Sequence, residues 1–190
     1  QKDLERWNAQ LLMSSPMPQY NLVGRGDPRS TVDSFNGMRV RATGGLGDAF
    51  KAVGAVPTSV ASNEAYNAME SGVVDTVAFA PHAHLSFRTI DQADWWTENL
   101  NPGTVNCPIV VNKDAYAALS DAEREALEGS VDEAIDYYIE TYGKLMERWE
   151  TVLEEKNIQK VEFSDEELAK FREATQGIQD EWIAKMDAQG

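Results

Sequence analysis

Residues 35–79 read FNGMRVRATGGLGDAFKAVGAVPTSVASNEAYNAMESGVVDTVAF. Short apolar runs in this segment alternate with stretches whose apolar residues recur at helical spacing. Three strands with two helices between them are predicted: Met38–Arg41, 44–53, Val56–Val60, 62–71 and Val73–Phe79. Such alternation with short connections indicates a parallel sheet covered by helices, in which ligands bind beyond the carboxyl ends of the strands. We therefore expect an α/β fold whose candidate site lies near Arg41 and Phe79.

The segments on either side of this alternation add a helix and two strands. Residues 1–13 have apolar side chains at helical spacing, and Ser14–Pro16 then ends this predicted helix. Tyr20–Val23 is one strand candidate and Ile109–Val111 is another. The polar stretch of residues 97–108, which contains Pro and Gly, is expected to cross between lobes.

Two predicted helices dominate the second half of the chain. Ser120–Glu123 is a capping box, and apolar residues continue at steps of three and four to about Lys156. At about 1.5 Å per residue, this helix would be on the order of 50 Å long. We expect it to bridge two bodies or to pack as a brace. A second capping box, Ser164–Glu167, begins the C-terminal helix.

Composition argues against several classes of protein. The chain carries 17 basic and 32 acidic residues, and its net charge of −15 repels the phosphate backbone of nucleic acids. No nucleic-acid partner is therefore expected. No apolar run approaches the roughly 18 residues that span a bilayer. Cys107 is the single cysteine, so an internal disulfide and a cysteine metal cluster are both excluded. Because the chain begins at Gln1 and has no signal-like start, we expect an export signal to have been removed.

Four short motifs in the alternating segment resemble one protein family. They are Phe35–Arg41, like the pattern D-x-x-G-x-K-x-R; Gly54–Pro57, like G-A-x-P; Glu64–Met69, like E-x-Y-x-A-L; and Gly72–Asp75, like G-x-x-D-G. Val111 and Asn112, followed by residues 115–119, extend the likeness. These motifs, in this order, resemble those of the substrate-binding proteins of tripartite ATP-independent periplasmic (TRAP) transporters.

The resemblance implies a two-lobed α/β fold. It is the type II periplasmic-binding-protein lobe, with a parallel-rich sheet and flanking helices, joined by a long bridging helix and a C-terminal helix. The resemblance divides the chain into four parts. Residues 1–19 are a remnant of the first lobe, and residues 20–104 are the second lobe, which binds the ligand. Residues 105–130 are a crossover strand and helix that pack with the first lobe, and residues 131–190 are the long bridging helix and C-terminal helices. Family members carry roughly a hundred further residues before the position of Gln1, a typical lobe size. An N-terminally shortened receptor is therefore expected.

The function that the resemblance implies is solute capture in the periplasm. Such a receptor binds a small organic carboxylate and delivers it to membrane permease subunits, without catalysis and without a cofactor. Arg41, which ends the first motif, is the expected carboxylate ligand, because a guanidinium donates two parallel hydrogen bonds to a carboxylate. Ala78 stands where some members have a cation-ligating Glu, so no bound metal is expected. By position, the other ligand-lining residues of the family fall at Gly44, Ser62, Phe79, Trp96 and Asn101.

Each of these candidates also has an ordinary structural interpretation. Arg41 could form a salt bridge. Strand alternation puts Arg39 on the same side as Arg41, so only the family motif selects between them. The alternatives for the others are core packing for Phe79 and Trp96, a helix cap for Ser62, and a turn for Asn101.

Two other function classes stay open. One is a metal- or histidine-dependent enzyme acting on a small organic acid through His82 and His84. Two histidines at this spacing point to opposite sides of a strand or well apart on a helix, which disfavours a shared metal. The other class is an acidic helical interaction module, since residues 114–190 hold 21 acidic and 8 basic residues. The apolar stripes of this region favour packing on the lobe instead.

Overall fold

The computed structural model describes residues 2–15 and 17–189. In chain order, the helices and strands are α1 (Lys2–Arg6), β1 (Ala9–Ser15), β2 (Asn21–Gly24), β3 (Arg39–Arg41), α2 (Gly44–Ala52), β4 (Val56–Thr58), α3 (Ala65–Glu70), β5 (Thr76–Phe79), α4 (Pro81–Ser86), β6 (Trp95–Thr97), β7 (Cys107–Asn112), α5 (Lys113–Ala118), α6 (Asp121–Glu155), β8 (Gln159–Val161) and α7 (Asp165–Gln189). Short 3-10 turns lie at Asp33–Phe35, Ser62–Glu64 and Thr89–Gln92. Within this described part of the chain, no helix is both long enough and apolar enough to cross a bilayer.

The chain divides into two units, each made of two separate stretches. The first unit comprises Gln1–Pro18 and Val105–Arg148, and the second comprises Gln19–Thr104 and Trp149–Gly190. The division between Arg148 and Trp149 falls inside α6.

The first unit contains a two-stranded antiparallel sheet of β1 and β7. The prediction of one helix over residues 1–13 is wrong, because only α1 is helical and β1 begins at Ala9. Asn8 separates the two elements with a left-handed φ of 49°, a conformation that Asn adopts more readily than most residues. Pairing with β7 then overrides the helical spacing of the apolar residues. Pro16, part of the predicted stop, lies outside the described residues.

α6 is a single helix of 35 residues, as predicted for the segment from Ser120 to about Lys156. Both halves of its capping box are present. The backbone N–H of Glu123 donates to Ser120 Oγ at 3.4 Å, and the N–H of Ser120 donates to the Glu123 carboxylate at 2.7 Å. Gly129 and Gly143 lie inside the helix without interrupting it.

Gly129→Ala and Gly143→Ala are each expected to stabilise the protein by up to about 1 kcal/mol, because alanine is the better helix former. Apart from the backbone of α6 itself, an added Cβ at either position meets no atom within 4 Å. Urea unfolding of the two variants measures the effect. Gly54→Ala is the matched control and should destabilise, because Gly54 has a φ of 81° and its Cβ would lie 3.1 Å from Asn36 Oδ1. Lower unfolding midpoints for both α6 variants would contradict the prediction.

The second unit is built on a six-stranded sheet in the order β4-β3-β5-β2-β6-β8. β3 runs parallel to β4 and β5, which confirms the parallel arrangement predicted for residues 35–79. β2 is antiparallel to both β5 and β6, so the sheet as a whole is mixed. β8 lies at the edge, parallel to β6.

One face of this sheet carries the core of the second unit. Phe35 lies between Phe50 of α2 and Phe163, at ring-centroid distances of 6.0 and 5.7 Å. Phe50 also meets Phe171 of α7 at 6.1 Å. The sheet contributes five core side chains: Leu22, Val40, Ala78, Trp95 and Val161. Because successive strand residues point to opposite faces, the residues that alternate with them, Arg41, Phe79 and Trp96, lie on the other face.

Candidate functional site

Several strands of the second unit end at the same edge of its sheet. The pairing directions place the carboxyl ends of β3, β4, β5 and β6 at this edge, together with the start of β2. Such an edge is where open α/β sheets bind ligands. The residues at or just beyond these strand ends are Tyr20, Arg41, Ser62, Phe79 and Asn101.

Arg41 is held at this edge by three contacts. Its Nε donates to the carbonyl of Val60 at 3.0 Å, and its Nη2 donates to Ser62 Oγ at 3.2 Å. Its Cζ lies 4.3 Å from the centroid of the Phe79 ring, a cation–π contact. The structure therefore brings Arg41, Ser62 and Phe79 together. Ser62 does not cap the following helix with its side chain, which was the alternative interpretation.

Arg41 is buried, with 7% of the residue exposed. Burial lowers its pKa, and the nearby Tyr20 opposes this shift. Among residues 2–15 and 17–189, no carboxylate forms an ion pair with Arg41. Of the five N–H donors of a guanidinium, the Val60 and Ser62 bonds use two, which leaves a pair on Nη1 and one on Nη2. These donors can form the two-pronged fork that a carboxylate accepts.

Arg39, two residues earlier, is in a different situation. Its Nε donates to Asp75 Oδ2 at 3.0 Å, its Nη2 pairs with the other carboxylate oxygen, and its Nη1 donates to the carbonyl of Gly72. The Asp75 carboxylate raises the pKa of Arg39, and the side chain is 46% exposed. The charge of Arg39 is therefore already neutralised within the protein.

An aromatic row lies on the same face of the sheet as Arg41; we use this name for Phe79, His84, Trp149 and Trp96. Phe79 meets His84 edge-on at 5.6 Å, His84 stacks on Trp149 at 5.7 Å, and Trp149 meets Trp96 edge-on at 5.8 Å. A fifth ring, Phe87, packs on Phe79 at 5.6 Å. The platform beneath the Arg41 guanidinium is thus part of a continuous aromatic layer.

His84 is fully buried and makes two polar contacts. Its Nε2 lies 3.2 Å from the carbonyl of Asn21, and its Nδ1 lies 2.8 Å from Thr89 Oγ1. Because a carbonyl can only accept, Nε2 carries the hydrogen and Nδ1 accepts from the threonine hydroxyl. Burial is the largest cause that lowers the pKa of His84 to about 3. His84 is therefore a neutral donor and acceptor at ordinary pH.

The lowered pKa of His84 should make the protein less stable at acid pH. The unfolded histidine protonates near pH 6.5, whereas the folded one does so at about 3, so the unfolded state binds more protons between these values. Stability due to neutral His84 is fully present above pH 6.5 and should fall by up to about 1.4 kcal/mol per pH unit as pH drops toward 3. Denaturant unfolding of wild type and His84→Gln between pH 7 and 4 measures the difference. Wild type should lose more stability than the variant, and parallel curves for the two proteins would contradict the prediction.

In the described part of the chain, no hydrogen bond, ion pair or ring contact joins Arg41 to three of the predicted site residues, Gly44, Trp96 and Asn101. Gly44 begins α2 with a φ of 56° and is exposed. Asn101 is exposed in the irregular segment after β6. Trp96 of β6 is aligned with Arg41 of β3 through the paired residues Val23 of β2 and Val77 of β5. Arg41 and Trp96 are therefore three strands apart, or about 14 Å at ordinary strand spacing.

Sequence reasoning missed four residues that build the site. Val60 supplies a carbonyl, which leaves no sequence signal, and Tyr20 lies at the start of β2 close enough to influence Arg41. Trp149 lies in the apolar stripe predicted for the long helix, and His84 was considered only as a metal ligand or as a residue of an enzyme acting on a small organic acid. In the described residues, no group of three His, Cys, Asp or Glu side chains is placed to hold a metal ion.

The model of one protein family matches most of the chain. The model of bacterial extracellular solute-binding protein family 7 matches residues 20–185. The chain belongs to this family. The matched region includes every residue of the edge described above, and the resemblance to TRAP receptors is thereby confirmed.

Two curated bacterial proteins are similar to the chain. Over 176 residues the chain is 27% identical to the C4-dicarboxylate-binding periplasmic protein DctP of Rhodobacter capsulatus, covering 90% of this chain and 52% of that protein. Over 175 residues it is 21% identical to the ectoine-binding periplasmic protein TeaA of Halomonas elongata, covering 89% and 50%. The chain spans about half the length of these relatives.

Solved structures share the fold. A TRAP periplasmic solute-binding protein from Desulfovibrio salexigens with bound orotic acid superposes with a TM-score of 0.88 at 17% identity, covering 100% of this chain and 61% of that one. The predicted periplasmic-binding-protein-like architecture is confirmed by this likeness.

Proposed function

We propose that this protein is a periplasmic receptor that captures a small organic carboxylate and delivers it to the permease subunits of a TRAP transporter. The observation that carries the proposal is the buried residue Arg41, whose guanidinium has two structural hydrogen bonds and no carboxylate partner in the described part of the chain. Burying an unpaired charge is costly, so such a site is expected where an anion supplies the missing partner.

The relatives support a carboxylate as that anion. DctP of Rhodobacter capsulatus binds C4-dicarboxylates, TeaA of Halomonas elongata binds ectoine, and the Desulfovibrio salexigens protein holds orotic acid. These molecules differ in shape and share a carboxylate group. We infer that Arg41 takes the carboxylate, with Ser62 and Phe79 fixing the guanidinium. Gly44, Trp96 and Asn101 are proposed to line the rest of the binding region, and residues 20–104 to form its ligand-binding lobe.

No catalytic role is proposed. The matched family is a family of solute-binding proteins. His84, which Phe79 links to Arg41, is fully buried and has both ring nitrogens engaged with Asn21 and Thr89. A general base must reach a substrate proton, and His84 in this environment cannot. A metal cofactor has no role in the proposal.

A thermal-shift screen of the full-length protein tests the proposal. Succinate, orotate and ectoine are compared with dimethyl succinate, which keeps a succinate skeleton and lacks both charges. A ligand that binds only the native state raises the melting temperature, so we expect at least one carboxylate to raise it and dimethyl succinate to leave it unchanged. The proposal fails if no carboxylate has an effect, or if Arg41→Ala responds as strongly as wild type.

A further inference from the structure

The aromatic row places a neutral histidine between the anion-binding arginine and helix α6. The Arg41 guanidinium lies over the Phe79 ring, Phe79 and His84 meet edge to face, and His84 stacks on Trp149, a residue of α6. His84 and Trp149 are both buried, at 0% and 1% exposure. The chain of contacts from the guanidinium to α6 therefore passes through one imidazole ring.

The position of this ring is fixed in more than one direction. The Asn21 carbonyl and the Thr89 hydroxyl hold its two nitrogens, so the ring cannot rotate without breaking a buried hydrogen bond. Trp149 covers one ring face at an interplanar angle of 25°. Asn21 also belongs to β2 and pairs with Phe79 in the sheet, so the same backbone segment locates both His84 and Phe79.

The position of the Phe79 ring depends in turn on its neighbours. His84 and Phe87 pack on it at centroid distances of 5.6 Å each. Because interiors are close-packed, loss of one neighbouring ring lets Phe79 move into the space. The Arg41 guanidinium that lies over Phe79 would then lose its defined orientation.

We propose that His84 is a positioning residue of the anion site: without touching the ligand, it holds Phe79, and through Phe79 the Arg41 fork, in the geometry that receives a carboxylate. This inference rests on the proposed function. Trp149 supports the same geometry from α6, because it is the ring on which His84 stacks.

Two substitutions separate the contribution of the His84 ring from the contribution of its hydrogen bonds. His84→Gln keeps a donor that can reach the Asn21 carbonyl and removes the ring. His84→Phe keeps the ring and removes both polar contacts. Phe171→Leu is the matched control, because Phe171 is equally part of the second unit and packs on Phe50 in the core on the opposite face of the sheet.

Two measurements on the full-length protein read the result: calorimetric titration with succinate and orotate, and the ¹⁵N NMR signal of the Arg41 Nε–H, assigned by its absence in Arg41→Ala. His84→Gln loses two aromatic contacts, so we expect an affinity about tenfold lower and a shifted or broadened Nε–H signal. His84→Phe should keep affinity within about threefold of wild type while melting at a lower temperature, because two buried polar groups lose their partners. Phe171→Leu should melt lower with unchanged affinity and signal.

The inference is overturned if His84→Gln keeps both the wild-type affinity and the wild-type Nε–H signal. It is also overturned if Phe171→Leu lowers affinity as much as His84→Gln does, since destabilisation alone would then explain the loss. If wild type binds neither succinate nor orotate while the Nε–H signal moves in His84→Gln, the positioning role stands and the carboxylate ligands of the proposed function fail. The two hypotheses are therefore tested separately.

Discussion

Arg41→Ala should lower the affinity for a carboxylate ligand by at least about tenfold, because a hydrogen bond to a charged group contributes roughly 1.5–3 kcal/mol and the fork makes two. Arg41→Lys keeps the charge and loses the planar fork, so its affinity should lie between those of wild type and Arg41→Ala. The ligand-free protein should remain folded, because the arginine is a buried charge without a carboxylate partner. Calorimetric titration of the full-length protein with a ligand from the thermal-shift screen measures the affinities.

Arg39→Ala is the matched control for Arg41→Ala. It removes an arginine from the same strand, and the structure predicts near-wild-type affinity because Arg39 is exposed and paired with Asp75. If Arg39→Ala abolished binding while Arg41→Ala bound normally, the assignment of the carboxylate to Arg41 would be wrong, and Arg39 would be the residue that binds it.

The two arginines show where sequence reasoning about the site stops. Strand alternation places Arg39 and Arg41 on one side, and only a family motif distinguished them. The structural difference lies in Asp75, which is 36 residues from Arg39 in the chain and forms its ion pair. A pairing across that distance depends on β5 lying beside β3, which local spacing does not reveal.

The alternating segment was the predictable part of the fold. Strands β3, β4 and β5 and helices α2 and α3 follow from local periodicity and glycine stops, because each is short and each apolar face meets the sheet. The first 15 residues were not predictable in this way. Their spacing suits a helix, and the partner that makes Ala9–Ser15 a strand is β7, almost a hundred residues later.

The site was partly predictable for a related reason. Ser62 and Phe79 lie at strand ends beside Arg41, so knowledge of the strand order is enough to bring the three together. Trp96 was placed near them by family position, and the structure instead packs it on Trp149. The contribution of α6 to this layer could not be foreseen, because nothing in a long amphipathic helix indicates which of its apolar residues meets a given strand.

The largest expected loss of stability comes from Gly24, a buried residue of β2 that pairs with Trp95 of β6. A Cβ added at Gly24 would lie 2.1 Å from Cζ2 of Trp95, so the indole lies directly across the glycine. Trp95 is 1% exposed and belongs to the core cluster, which leaves it no space to retreat. Gly24→Ala should therefore destabilise the protein by about 2–3 kcal/mol, and Gly24→Val by more, because overpacking a dense core forces strain on its neighbours.

Urea unfolding followed by circular dichroism measures this loss. Gly129→Ala is the control, because its methyl group meets no atom within 4 Å apart from the backbone of its own helix. The double variant Gly24→Ala/Trp95→Leu tests the cause. Leucine leaves room for the methyl group. The double variant should therefore lose less stability than the sum of the losses of the two single variants, by at least about 1 kcal/mol. Additive losses, or a Gly24→Ala midpoint equal to that of wild type, would show that the close approach of Trp95 to Gly24 does not limit stability. A glycine within a strand is unfavourable by itself, so its presence here is explained by the large ring that packs against it.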